Sequence, residues 1–216
     1  SLDRVRAQLI RDVHAERDAL IASGQASPVW SRTVNGEQNT PEESVRVGGE
    51  ILYNFSDISQ ATSYALDLAQ QKSPLSSGSY RNAWIVLVNG NLWQHDIEDI
   101  PASAEVILTN PMPYARKIDV GAMKMSVPSG IIEAVRQAIF KKYPDMTIWR
   151  KFINLDGTFK NIKAPYLLKG NVKRKLAKLN MRSSAYRRGD RYLARRKDLA
   201  AGQPITYPSL IIKQEY

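Results

Sequence analysis

The sequence predicts an α+β fold: an antiparallel or mixed β-sheet of four to six strands with helices packed on one face, an extended N-terminal loop and a basic C-terminal arm. Three observations predict it. β-rich runs crowd the middle of the chain, from residue 80 to 120, and Asn89-Gly90 joins two of them with a strong short-range hairpin signal. Helical periodicity flanks these runs, at 56–72 and 129–143. Positive charge gathers in the last third. Fourteen of the 31 Lys and Arg fall between Lys160 and Lys197 against one acid, Asp190, so that stretch is +13 and the remainder of the +10 chain is −3. The expected organisation is a domain over 1–159 and a basic extension over 160–216 that ends in an edge strand.

Taken in order, residues 1–22 read as a helix. Val5, Leu9, Val13, Leu20 and Ile21 recur near helical spacing, Gly24 ends the run, and Arg4, Arg6, Arg11, Glu16, Arg17 and Asp18 form a solvated opposite face. Residues 25–50, punctuated by Pro28, Pro41 and Gly48-Gly49, read as a long irregular loop with Trp30 as an anchor onto a neighbouring surface. A short strand at 51–55 follows. Ser56 or Asp57 then caps a helix to Lys72 whose small residues, Ala61, Ala65 and Ala69, permit close packing on a sheet. Strands are expected at 80–88, from Leu92, at 105–109 and at 115–120. The strongest helix, 129–143, carries Ile131, Ile132, Val135, Ala138, Ile139 and Tyr143 on one face and stops at Pro144. Residues 146–153 read as a strand ended by a turn at Asp156-Gly157. Beyond it, 171–180 and 190–200 read as basic helices, and 205–215 as an edge strand with Pro208 near its start.

Composition removes several classes of function. The chain has no cysteine, so disulfide scaffolds, thiol nucleophiles and thiolate metal sites are out. No run of eighteen apolar residues is present, so no membrane partner is expected, and the charged start, 1–23, lacks the apolar core of a signal peptide. Phosphate-cradling glycine loops, the dinucleotide fingerprint and the nucleophile elbow are all missing. Of two histidines, His14 lies on the first helix, and His95 sits with Asp96, Glu98 and Asp99. That group reads as a polar surface loop rather than a metal cluster, because adjacent loop residues rarely converge without distant partners. The expectation is a protein that is not an enzyme and carries no cofactor and no metal.

The basic stretch is the compositional anomaly. Lys160, Lys163, Lys169, Lys173, Arg174, Lys175, Lys178, Arg182, Arg187, Arg188, Arg191, Arg195, Arg196 and Lys197 are candidates for contact with DNA or a partner protein. One reading is contact with phosphate backbones, with Tyr166, Tyr186 and Tyr192 available for stacking. The other is an arm that docks on an acidic face of a neighbouring subunit. No base-reading motif is visible, so any DNA contact is expected to be independent of sequence.

Two stretches carry a resemblance. Ser73-Pro74-Leu75-Ser76-Ser77-Gly78-Ser79-Tyr80-Arg81-Asn82-Ala83-Trp84 and Thr109-Asn110-Pro111-Met112-Pro113-Tyr114-Ala115-Arg116-Lys117-Ile118-Asp119-Val120-Gly121 resemble tail-completion and head–tail joining proteins of tailed bacteriophages. That family shows a helix, a Ser/Ala-Pro turn leading to Gly-x-x-Arg-x-Ser/Ala-Trp, a hairpin, then Asn-x-x-Pro-Tyr-Ala, an acid and Gly, with a long helix soon after. The likeness spans roughly 58–153. Arg116-Lys117 departs from it, and the N-terminal loop and basic third have no counterpart in it. The resemblance implies a non-catalytic virion protein, assembled in the host cytoplasm and placed in the neck or tail. There it joins the DNA-filled head to the tail or completes and terminates the tail. Its implied partners are copies of itself in a ring (a hexamer before a dodecamer), portal, connector or tail-tube proteins, and packaged DNA. Pro74, Gly78, Tyr80, Asn82, Trp84, Asn110, Tyr114, Ala115 and Gly121 are then structural keystones. The rival expectation is a sequence-independent nucleic-acid-binding protein acting through 160–197.

Overall fold

The computed structural model describes residues 1–155, 166–168, 182, 199 and 202–214. It is α+β, with a three-stranded and a five-stranded sheet, both antiparallel. The expected helices 171–180 and 190–200 and the turn at Asp156-Gly157 lie outside the described residues.

Helix α1 (Leu2–Ala22) ends as expected, with Gly24 at φ +74° and the Gly24 and Gln25 amides turned back onto the carbonyls of Ile21 and Leu20. It buries none of its residues, and Leu2, Val5 and Leu9 remain exposed. The docking side differs from expectation. Arg17, assigned to the solvated face, lies over the Trp30 ring at 4.5 Å and over Tyr53 at 5.1 Å. Trp30 is an anchor within its own chain, edge-on to Tyr53 at 5.1 Å.

Residues 25–50 are not an irregular loop throughout. Strands β1 (Trp30–Val34) and β2 (Glu37–Gln38) form a hairpin around Asn35 (φ 51°) and Gly36 (φ 81°). It is a second Asn-Gly turn, at the same left-handed dihedrals as Asn89 and Gly90. Strand β3 (Ile51–Phe55) pairs along the other side of β1. A short 3₁₀ turn, Glu42–Ser44, places Glu42 at the centre of this unit. Glu42 is 5% exposed; its Oε1 accepts the Tyr53 hydroxyl at 2.6 Å and lies 3.1 Å from His14 Nε2, and its Oε2 pairs with Arg32 at 3.0 Å. Burial pushes this carboxyl up, but the bonds from Tyr53, His14 and Arg32 outweigh burial and hold it at about 2.

Helix α2 (Ile58–Gln71) starts where Ser56 Oγ accepts the Ile58 amide at 3.2 Å. The Asp57 amide donates to Gln214 Oε1 at 3.0 Å, fastening the helix start to the far end of the chain. The larger sheet runs β5 (Asn91–Leu92), β4 (Ile85–Val88), β6 (Val106–Thr109), β8 (Thr206–Lys213), β7 (Thr147–Asn154). Period-2 alternation gives it two apolar faces. Val86, Val88, Val106, Leu108, Leu210 and Ile212 meet α2 and α4 (Ile131–Lys142), whose Ala61, Ala65, Ala69, Ile132, Val135 and Ile139 complete the core. Ile85, Leu87, Ile107 and Tyr207 form a second cluster with Tyr166, Leu168 and Leu199.

Three further expectations are corrected, the first being the strand 80–88, which is Ile85–Val88 alone after a 3₁₀ turn at Arg81–Ala83. Residues 115–120 are a short helix, α3 (Ala115–Asp119), rather than a strand, because Tyr114 and Met112 carbonyls accept turn amides that a strand would send to a neighbour. The C-terminal strand is not an edge: β8 lies between β6 and β7, so it completes the sheet built by the first 154 residues. Pro208 is tolerated inside it because its carbonyl accepts the Thr109 hydroxyl at 3.2 Å, so its backbone edge faces β6 just beyond the last paired residues, Thr109 and Ser209.

The Glu42 carboxyl predicts an acid limb of stability. Its folded value lies below the ordinary 4.5, so its contribution is full above about 4.5 and is lost as pH falls toward 2. Urea titrations should show wild-type stability falling by roughly 3 kcal/mol more than that of Glu42→Gln between pH 5 and 2. Parallel curves for the two proteins contradict the assignment.

Candidate functional site

Ser73, Pro74, Tyr80, Trp84, Asn110, Ala115 and Asp119 form one buried seam within 73–121. At the end of α2 the Ser73 hydroxyl donates to the Ala69 carbonyl at 2.6 Å and accepts the Trp84 indole N–H at 2.8 Å. Pro74 is buried behind it. Gly78 turns the chain at φ +70°, and its carbonyl accepts the Asn82 amide at 2.9 Å. Tyr80 then packs edge-on to Trp84 at 5.8 Å and against Tyr114 at 5.9 Å. Asn110, fully buried, donates to the Tyr80 carbonyl at 2.8 Å and accepts the Met112 amide at 3.1 Å. Ala115 is buried at the start of α3, and Gly121 has φ +73° with its missing Cβ position 3.2 Å from Ser129 Oγ. The structure thus gathers Tyr80, Trp84, Asn110 and Tyr114 directly, while Asn82 stays exposed on the turn.

Sequence reasoning quoted Asp119 within this seam but gave it no role. Its Oδ1 accepts the Ile132 amide at 3.1 Å, its carbonyl accepts the Gly130 amide at 2.8 Å, and its Oδ2 pairs with the Arg150 guanidinium. A carboxylate at a helix N-terminus satisfies an amide the helix cannot, and complements its dipole. Arg150 and Arg116 in turn lie over the Phe152 ring at 4.9 and 4.4 Å. Burial, then the Asp119 charge, pushes the Tyr80 phenol up.

The carboxylate and the guanidinium therefore pair at a buried acid, and the Tyr80 phenol feels that charge without a hydrogen bond to it. Two surface clefts among the described residues lie elsewhere: one of about 600 Å³ between α2 and α4, and one of about 450 Å³ lined by Ser59, Gln60, Ser63, Asp96, Ile97 and Glu98. His95 packs on Trp93 at 5.0 Å, beside an exposed 3₁₀ turn, Ile97–Asp99. Among the described residues no group of three His, Asp or Glu side chains is placed to hold a metal ion, and no helix is long and apolar enough to cross a membrane.

Of the fourteen basic candidates, Arg182 is described, exposed in a turn. Lys160, Lys163, Lys169, Lys173, Arg174, Lys175, Lys178, Arg187, Arg188, Arg191, Arg195, Arg196 and Lys197 lie outside the described residues, as do Tyr186 and Tyr192. The geometry shows where the stretch is rooted. The Leu168 amide donates to the Gln203 carbonyl, the Gly202 amide to Leu168, and the Ile205 amide to Tyr166, at 2.8 to 2.9 Å, with Leu167 bridging Pro204. Residues 166–168 and 202–205 thus form one antiparallel stem, with Tyr166, Leu168 and Ile205 in the apolar cluster on the sheet face opposite α2 and α4. Sequence reading missed this closure, because the bridged residues Leu167 and Pro204 are 37 apart.

Comparison with protein-family models, curated proteins and solved structures finds no match to this chain.

The seam predicts unequal costs for two asparagines of the same segment. Asn110→Ala strands a carbonyl and an amide in the core and is expected to cost about 2 kcal/mol, or roughly 4–8 °C in Tm by scanning calorimetry. Asn82→Ala is expected to stay within about 0.5 kcal/mol of wild type. Equal losses contradict the placement of Asn110 as the bonded residue.

Proposed function

We propose that this chain is a structural subunit of a tailed-phage neck, forming a ring that joins the DNA-filled head to the tail or completes and terminates the tail. The observation that carries the reading is that the two resemblance-bearing stretches, 73–84 and 109–121, are one unit in space. They are joined by the Asn110–Tyr80 hydrogen bond and the packing of Tyr80 on Tyr114. Their distinctive residues are spent on turn geometry and packing, which suits a scaffold. A ring further needs different surfaces that meet by rotation, and loops or arms that reach neighbours. In this reading the basic stretch 160–197 is the arm. Its partners in this reading are copies of the same chain, as a hexamer before a dodecamer, the portal, connector or tail-tube proteins, and packaged DNA.

The concentration of +13 within 160–197 favours a second reading, sequence-independent binding of nucleic acid. Two measurements separate them. Electron-microscopy maps and mass spectrometry of intact particles are expected to find the chain at the head–tail junction; its absence from the particle overturns the neck reading. Duplex binding by the purified full chain tests the second. If the arm neutralises 6–10 phosphates, affinity falls about 10³–10⁵-fold between 50 and 200 mM salt. A flat salt response removes that reading.

A further inference from the structure

The outer surface of the helical layer is electrically divided along α2. On one flank, the cleft of about 600 Å³ between α2 and α4 is floored by Ala134 and Ala138 and edged by Lys72, Lys141 and Lys142. Lys142 Nζ sits over the Tyr64 ring at 4.3 Å, so that ammonium is held at the cleft wall. On the other flank, the turn Ile97–Asp99 packs against the helix start and presents Asp96 and Glu98 beside Ser59, Gln60 and Ser63, with Asp99 exposed on the same turn. On α2 itself, Ser59 and Ser63 lie on the opposite flank from Lys72 at 100° per residue. Among the described residues, none of these three lysines and three acids forms an ion pair with another side chain.

One chain cannot bring its own two flanks together across α2, yet a second copy can. We propose that the α2–α4 cleft receives the acidic Asp96–Glu98–Asp99 turn of the next copy. The contact is head-to-tail, and it deepens the ring reading on which it rests. Charge complementarity argues for a copy of this chain as the occupant: a turn bearing three carboxylates matches a cleft edged by three ammonium groups. Because the donating and receiving surfaces differ, each copy keeps one of each free, which is the arrangement that propagates until it closes. Opposed charges also set register and penalise wrong pairings.

Two double variants test it: Lys141→Glu/Lys142→Glu, which makes both flanks acidic, and Asp96→Lys/Glu98→Lys, which makes both basic. All four positions are exposed, so folding, checked by circular dichroism, is expected to be unchanged. Assembly is read by mass photometry of the full chain across concentration at 50 and 500 mM salt. The wild type is expected to assemble, less well at high salt; each variant alone should need at least about tenfold more protein. Mixing the two variants should restore assembly, because each interface then pairs unlike charges. If the wild type assembles and either variant does so equally well, the cleft is not the interface, and the ring reading stands without it. If the mixture fails to recover, the proposed pairing of these two surfaces is overturned. A wild type that stays monomeric at every concentration overturns the ring reading and this contact together.

Discussion

Asp119 is a carboxylate buried to 3% exposure, and three elements converge on it. It ends α3, accepts an amide of the first turn of α4 and pairs with Arg150 on β7. A charge removed from water is tolerable only when its lone pairs are taken up, and here an amide and a guanidinium take them. The consequences spread outward. Holding α4 by its first turn sets that helix against the sheet, where Ile132, Val135 and Ile139 are fully buried. Holding Arg150 fixes β7, which pairs residue by residue with β8 from Thr147–Lys213 to Asn154–Thr206. β8 then lies in the sheet's interior, directly after residues 202–205 of the stem.

The N-terminal unit uses the same device with different residues. Glu42 gathers His14 from α1, Arg32 from β1 and Tyr53 from β3, and Arg17 closes over two rings beside it. The two carboxylates divide the labour. One organises the helices over the large sheet, and the other attaches α1 and the small sheet, a region whose own apolar residues bury little. Bonded carboxylates also explain how a chain without cysteines can hold long connections in place.

What the sequence revealed followed from local physics. The α2 and α4 helices, β3, β6 and β7 were legible because each carries its own period, and the buried seam because Pro, Gly and Asn mark turns wherever they fall. Asn35-Gly36 was missed although Asn89-Gly90 was used, because its flanking residues, Arg32, Thr33, Glu37 and Gln38, are polar and lack the apolar runs that made the second turn conspicuous. The interior place of β8 was hidden by Pro208, whose tolerance depends on where β6 stops. Glu42 and Asp119 gave no signal at all, since their partners lie 10 to 31 residues away on other elements and a lone acid in a sequence looks the same buried or solvated.

Asp119 and Arg150 are a coupled pair at the junction of α3, α4 and β7. A double-mutant cycle with Asp119→Asn, Arg150→Met and both together, read by urea unfolding at neutral pH, measures that coupling directly. The predicted coupling energy is about 2 kcal/mol, so that the summed losses of the two single variants exceed the loss of the double by that amount. Additive losses, with coupling below about 0.5 kcal/mol, would contradict the claim that this buried ion pair organises α3, α4 and β7.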